Sequence, residues 1–93
     1  MNNTFQIYLI SDSTGETLDR IFSALKAQFK NIDYKINSYS FTRTENQILK
    51  ILEDAEKNIS PIILYTIVDN KLAKYLANQS SEKKIPCFGV LGN

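Results

Sequence analysis

The sequence has 93 residues, with eleven lysines and arginines, ten aspartates and glutamates, and a formal net charge of +1. This length allows one domain at most, and the scattered charges form no basic stripe, which makes nucleic acid a poor partner. The single cysteine and the lack of histidine exclude an internal disulfide, histidine-based nucleophile pairs and the common zinc sites. No apolar run approaches the ~20 residues that cross a bilayer, and no signal peptide is recognisable. We therefore expect a cytoplasmic protein with no membrane contact and no metal ligands of its own.

The first predicted unit is a buried strand, a polar loop and a helix. An apolar run at Ile7–Ile10 ends in the hydroxyl-rich segment Ser11–Gly15, and Glu16 opens a helical pattern. The apolar side chains of the helix recur at intervals of three and four residues, and they are Leu18, Ile21, Phe22, Leu25 and Phe29.

A second strand and helix follow. The segment Asp33–Thr42 alternates, with Ser38 and Ser40 on the same face, which predicts a half-exposed strand near a sheet edge. Thr44 and Gln47 have the spacing of a capping box. The predicted buried stripe of this helix is Ile48, Ile51, Leu52, Ala55 and Ile59.

The last third of the chain predicts a strand, a helix and a strand. The nearly continuous apolar run Ile62–Val68 is typical of a central strand covered on both faces. Asp69 is expected to cap a third helix, which the polar stretch at residues 79–84 should end. Cys87–Leu91 predicts the fourth strand. Four residues are interpreted as core, and they are Tyr8, Tyr65, Cys87 and Phe88.

This order of elements predicts an α/β fold of Rossmann-like or flavodoxin-like type. We expect a three-layer sandwich with a four-stranded parallel sheet in the order 2-1-3-4. The loops at Ser11–Thr17 and Thr66–Asn70 would then flank one crevice between the two central strands. The outer strand edge would be open, and we expect a missing carboxyl-terminal portion or a second copy of the chain to cover it.

The polar loop after the first strand is the best candidate for a binding site. Its hydroxyls, its glycine and the free N–H groups of the helix start favour a phosphate or a phosphorylated residue. The candidates for phosphate or substrate binding are Ser11, Ser13, Thr14, Gly15 and Thr17, with Arg43, Asp69 and Asn70 as further candidates. Asp12 would repel an anion unless it binds Mg²⁺ or accepts a substrate proton, and it is the one catalytic candidate.

A purely structural interpretation of the same residues stays open. Ser13 or Thr14 could be an N-cap, Asp69 and Asn70 could only begin a helix, and Arg43 could be solvated. Neither the G-x-G-x-x-G nor the G-x-x-x-x-G-K-[ST] pattern occurs, so the chain carries no recognised nucleotide-binding loop.

Several segments taken together resemble the N-terminal part of one protein family. They are IYLISDSTGETLDRI, ALKAQF, TRTENQI at Thr42–Ile48, ILYTIVDNKLAKYL and IPCFGVLG. The family is that of the bacterial and plastid regulatory proteins of pyruvate, phosphate dikinase and of its relative phosphoenolpyruvate synthase. The resemblance covers nearly the whole chain, and SDSTGET and LYTIVD are its most specific pieces.

The resemblance implies a bifunctional enzyme. One activity is an ADP-dependent serine/threonine protein kinase that phosphorylates a threonine of the dikinase, and the other is a phosphate-dependent phosphorylase that removes this phosphoryl group and releases pyrophosphate. Family members are longer, and their P-loop lies downstream of the matched segment. Residues 1–93 would thus be a single N-terminal α/β domain without a cofactor or turnover of its own, while the full-length protein would use ADP, inorganic phosphate and Mg²⁺.

Two other functions remain open at this point. The segment STGET also resembles the phosphate loop of flavodoxins, which predicts a module that binds FMN. The third hypothesis is a non-catalytic docking or dimerisation domain. Uptake of a yellow flavin would favour the FMN-binding module. A tight dimer that binds neither phosphate, ADP nor flavin would favour the docking or dimerisation domain.

Overall fold

A computed structural model describes residues 4–28 and 31–90. The elements in chain order are β1 (Phe5–Ser11), α1 (Glu16–Lys26), β2 (Tyr34–Tyr39), α2 (Glu45–Glu56), β3 (Pro61–Thr66), α3 (Asn70–Glu82) and β4 (Cys87–Gly89). All neighbouring strands are parallel, and their order is β2-β1-β3-β4. The predicted α/β fold and strand order are confirmed. None of the helices in the described part of the chain has the length and apolarity needed to cross a membrane.

The helices pack on the two faces of the sheet and complete three layers. Even-numbered β1 residues such as Tyr8 and Ile10 pack against α2 and α3 in the larger buried cluster. The odd-numbered Ile7 and Leu9 pack against Leu18 and Phe22 of α1 in a smaller cluster. This alternation, with both faces covered, is why β1 reads as an unbroken apolar run.

Four residues that the sequence assigned to buried positions are exposed, and one of them is Leu25 on α1, which is 39% exposed. Ile59 is 83% exposed because α2 ends at Glu56, before the predicted stripe is complete. Phe88 is 56% exposed because it lies on the short edge strand β4. Val68 is 73% exposed because β3 ends at Thr66. The prediction of a central strand is confirmed, and Ile63 and Leu64 pack against the clusters on opposite faces, although Leu64 is only half-buried. Phe29 and Leu91 lie outside the described residues.

The third helix ends within the polar stretch that the sequence singled out. It continues through Glu82, and Ser80, one helical turn beyond Leu76 on the same face, is buried. The helix ends at Glu82, and two residues further on the Lys84 backbone has a φ of 58°. The prediction that the stretch at residues 79–84 ends the helix is confirmed, although most of the stretch is still helical.

The predicted starts of α2 and α3 are confirmed. The Thr44 hydroxyl accepts a hydrogen bond from the Gln47 N–H at 3.2 Å, and the Gln47 side chain accepts one from the Thr44 N–H at 3.0 Å. This is the capping box, in which two otherwise unpaired amides are satisfied. The Asp69 carboxylate accepts from the Lys71 N–H at 2.9 Å and so caps α3.

A buried tyrosine links the sheet to α2. The Tyr8 hydroxyl donates to the Asp54 carboxylate at 2.9 Å and accepts from the Asn58 amide at 2.6 Å. The Tyr8 ring is fully buried and stacks on Tyr39, with ring centroids 6.1 Å apart. Burial, together with the adjacent Asp54 carboxylate, raises the pKa of Tyr8 to about 12.

This tyrosine predicts a loss of stability in alkali. A pKa raised in the folded state means that Tyr8 contributes stability fully below the ordinary value of 10.0 and loses it as pH rises towards about 12. We expect Tyr8→Phe to flatten the fall in unfolding free energy over that interval, measured by urea unfolding at a series of pH values. Tyr75→Phe is the control, and an equal flattening in both variants would contradict the assignment.

Candidate functional site

The loop between β1 and α1 lies at the carboxyl end of β1, between the ends of β2 and β3. Gly15 is the N-cap of α1 and has a φ of 86°, a left-handed conformation that glycine adopts without strain. Within the described residues, no side chain makes a capping hydrogen bond at the start of this helix. The interpretation of Ser13 or Thr14 as the N-cap was therefore wrong, because the chain turns into the helix at Gly15.

The first turn of α1 keeps backbone donors unused. The first regular helical bond runs from the Asp19 N–H to the Gly15 carbonyl, at 2.9 Å. Thr17 and Leu18 have no amide hydrogen-bond partner within residues 4–28 and 31–90. These N–H groups and the positive end of the helix dipole can bind an anion.

A cavity of about 60 Å³ lies beside this helix start. It is lined by Ser11, Thr14 and Gly15 from the loop, by Ser38 and Ser40 from the end of β2, and by Leu9, Leu18, Asp19 and Tyr39. A buried water needs roughly 10–15 Å³, so the cavity has room for several water-sized groups or for a small anion. The sequence interpretation missed the two β2 serines as site residues, although the alternation of β2 had placed them on one face.

The hydroxyls of the loop have different surroundings. Ser11 is 1% exposed, and its hydroxyl accepts a hydrogen bond from the Ser13 N–H at 3.1 Å, which shapes the loop. The Thr14 hydroxyl accepts only a long contact of 3.4 Å from the Glu16 N–H. Ser13, Thr14 and Thr17 are exposed, so their hydroxyls are accessible to a ligand.

Asp12 joins the loops that follow the two central strands. Its carboxylate accepts a hydrogen bond from the Val68 N–H at 2.8 Å, and its own N–H donates to the Thr66 carbonyl at 3.3 Å. The loops after β1 and β3 are thus tied together. The hydroxyl-lined cavity lies on the other side of β1, towards β2.

The loop between β2 and α2 is bonded to the loop after β1. The N–H groups of Phe41 and Thr42 donate to the carbonyls of Ser13 and Ser11, at 2.9 and 2.8 Å. Phe41 has a φ of 54°, and a bulky residue in this left-handed region costs of order 1–3 kcal/mol. The two bonds hold this strained turn at the edge of the site.

Arg43 contacts both the loop after β1 and the loop after β2. Its Nε donates to the Asp12 carbonyl at 2.9 Å, and its guanidinium lies 5.2 Å from the centre of the Phe41 ring. The structure therefore brings Arg43 next to the loop that the sequence singled out.

The other candidates lie further from the cavity. Asp69 uses its carboxylate as a helix cap, and Asn70 is exposed at the first position of α3. Burial raises the pKa of the Cys87 thiol, which makes it a poor nucleophile. Cys87 packs half-buried against the larger cluster, as the sequence indicated.

These features define a parallel α/β domain with an uncapped helix N-terminus and a small hydroxyl-lined cavity at the carboxyl edge of its sheet. The model of the kinase/pyrophosphorylase family matches residues 7–93. The chain belongs to the kinase/pyrophosphorylase family.

Curated relatives support the same membership. A protein of Pelagibacter ubique is 72% identical over the whole chain, and one of Geotalea uraniireducens is 41% identical over 92% of it. Both are provisionally named as pyruvate, phosphate dikinase regulatory proteins. The chain spans only about a third of these relatives, 34% and 32% of their lengths, and it matches their N-terminal part.

Proposed function

We propose that this chain is the N-terminal part of a cytoplasmic enzyme that regulates pyruvate, phosphate dikinase, or phosphoenolpyruvate synthase, by reversible phosphorylation of a threonine. The observation that carries the proposal is the family match over residues 7–93, together with the names of the relatives. It favours this function over the flavin-binding and purely docking alternatives.

The proposed chemistry is phosphoryl transfer in two directions. In the kinase direction the threonine hydroxyl attacks the terminal phosphorus of ADP, so that phosphothreonine and AMP are formed. In the phosphorylase direction inorganic phosphate attacks the phosphorus of phosphothreonine, so that threonine and pyrophosphate are formed. Such transfers depend on positioning and on neutralising charge more than on covalent catalysis.

Within this chain we assign the binding of the phosphoryl group to the loop after β1. The free N–H groups of Thr17 and Leu18 and the Thr14 hydroxyl would donate to the phosphoryl oxygens. The Arg43 guanidinium, held beside the loop by Asp12, would add positive charge. Asp19, also on the cavity wall, could accept a proton from a hydroxyl or from a protonated phosphate.

The nucleotide needs residues beyond this chain. No P-loop pattern occurs in the sequence, so we assign ADP and its Mg²⁺ to the remaining two thirds of the longer relatives. We further propose that this remainder covers the open edge at β4, where Phe88 is 56% exposed. The chain alone would then show no turnover.

A chimera tests the proposal. Residues 1–93 would replace the matched N-terminal third of the Pelagibacter relative, and transfer to dikinase threonine would be followed with ADP, then reversed with inorganic phosphate. We expect transfer by the chimera and none by the chain alone. Thr14→Ala should lower the rate about tenfold, since one lost transition-state hydrogen bond costs roughly that factor or more.

The matched control is Ser81→Ala, which removes an exposed hydroxyl from the last turn of α3. It should leave the rate unchanged. A chimera that folds but does not phosphorylate threonine, or transfer by the chain alone, would refute the proposal.

A further inference from the structure

The carboxyl end of β2 has a cavity on each side. The hydroxyl-lined cavity lies towards α1, and a second cavity of about 220 Å³ lies towards α2. The lining of the second cavity is Tyr39, Ser40, Thr42, Gln47, Lys50 and Ile51. Tyr39 and Ser40 line both cavities, so only the end of one strand separates them.

The second cavity has fixed apolar walls and a basic rim. The Tyr39 ring is held in place by stacking on Tyr8, with an angle of 8° between the ring planes. Ile51 is 4% exposed and belongs to the core, so it does not move freely. Gln47 is held by the capping box, and Lys50 is the charged residue of the lining and is exposed.

We propose that this second cavity binds an apolar side chain of the peptide whose phosphorylated residue occupies the hydroxyl-lined cavity. This inference rests on the proposed function, because it assumes that the loop after β1 receives a phosphoryl group. An extended peptide advances about 7 Å over two residues. A peptide bound with its phosphorylated residue in the first cavity can therefore pass over Ser40 and place a nearby side chain in the second cavity.

The size and charge of the cavity favour this occupant. A volume of about 220 Å³ accommodates a side chain as large as leucine, and Tyr39 and Ile51 offer it apolar contact. Lys50 is complementary to the negative charge that a phosphorylated peptide carries. The two cavities together would then make the site prefer peptides with an apolar residue close to the phosphorylated residue.

Short phosphothreonine peptides test this inference on the chain itself. Each peptide has a Gly-Ser background and a single leucine at a different position near the phosphothreonine. We expect one position to bind about tenfold more tightly than the leucine-free peptide in calorimetry, as burial of one apolar side chain predicts. The same peptide should shift the backbone NMR signals of Tyr39 and Ile51.

Two lysine variants make the test specific. Lys50→Trp places a large ring at the mouth of the second cavity and should abolish the leucine preference, while inorganic phosphate should still shift the signals of residues 13–18. Lys74→Trp alters an exposed position of α3 and should change neither.

The outcomes separate this inference from the proposed function. The inference is wrong if no leucine position improves binding, or if Lys50→Trp keeps the leucine preference. The proposed function still stands in either case, provided that inorganic phosphate shifts the signals of residues 13–18. If an unphosphorylated leucine peptide binds equally well, the link between the two cavities is wrong. If neither phosphate nor any phosphopeptide shifts residues 13–18, the proposed role of the loop fails as well.

Discussion

Asp12→Ala is expected to loosen the loop after β1 and to lower the free energy of unfolding by about 1–2 kcal/mol. The reason is the hydrogen bond of 2.8 Å from the Val68 N–H to the Asp12 carboxylate, which ties the loops after β1 and β3 together. Bonds to a charged acceptor contribute roughly 1.5–3 kcal/mol, and the exposure of Val68 lowers this figure because water can replace the acceptor. Urea unfolding measures the change.

The same substitution is expected to weaken the binding of inorganic phosphate. Arg43 is anchored on the Asp12 carbonyl, so a displaced loop also displaces the guanidinium. Asp12→Asn is the matched control, because its amide oxygen can still accept from Val68 while the negative charge is removed. We expect the asparagine variant to keep most of the stability and to bind phosphate at least as well as the original chain.

These two variants also test the candidate catalytic role of Asp12. If Asp12 only holds the loop in place, we expect Asp12→Asn to retain threonine phosphorylation in the chimera with the Pelagibacter relative. Loss of transfer in a stable Asp12→Asn protein that still binds phosphate would instead make this carboxylate a proton acceptor or a metal ligand.

Leu52→Ala is expected to have the largest effect on stability, a loss of roughly 2–5 kcal/mol. Leu52 is fully buried on α2, within the cluster between the sheet and the two helices of that face. Small domains are stable by only about 5–15 kcal/mol, so this one truncation removes a large share. We expect the melting temperature to fall by about 10 °C or more.

Leu25→Ala provides the comparison for the same chemical change. Leu25 lies on α1, is 39% exposed and is absent from both buried clusters. Its truncation should change the free energy of unfolding by less than about 1 kcal/mol. Equal losses in the two variants would show that the face formed by α2 and α3 does not dominate the stability.

Local patterns predicted the elements of the fold well. The spacing of Thr44 and Gln47 identified the start of α2, and the apolar run of β1 identified a central strand, because both signals depend on near neighbours. The exact ends of the helices and strands were harder to predict. The exposure of Ile59 and the continuation of α3 past Ser80 depend on where each helix meets the sheet.

The candidate site was predicted in part. The loop from Ser11 to Thr17 and the proximity of Arg43 followed from the rule that parallel strands end at one edge. The position of the cavity on the β2 side of β1, and the bond between Asp12 and Val68 on the other side, did not follow from it, because the partners are far apart in sequence.

The sequence by itself determined the order of strands and helices, the parallel sheet and the family, because these are written in local periodicity, caps and motifs. Only the tertiary structure decided that Gly15 is the cap of α1, that Asp12 bonds to Val68 after β3, and that Ser38 and Ser40 complete a cavity with the loop. These features arise from contacts between segments that meet only when the sheet assembles. No local pattern shows which of the two strands next to β1 will line the cavity.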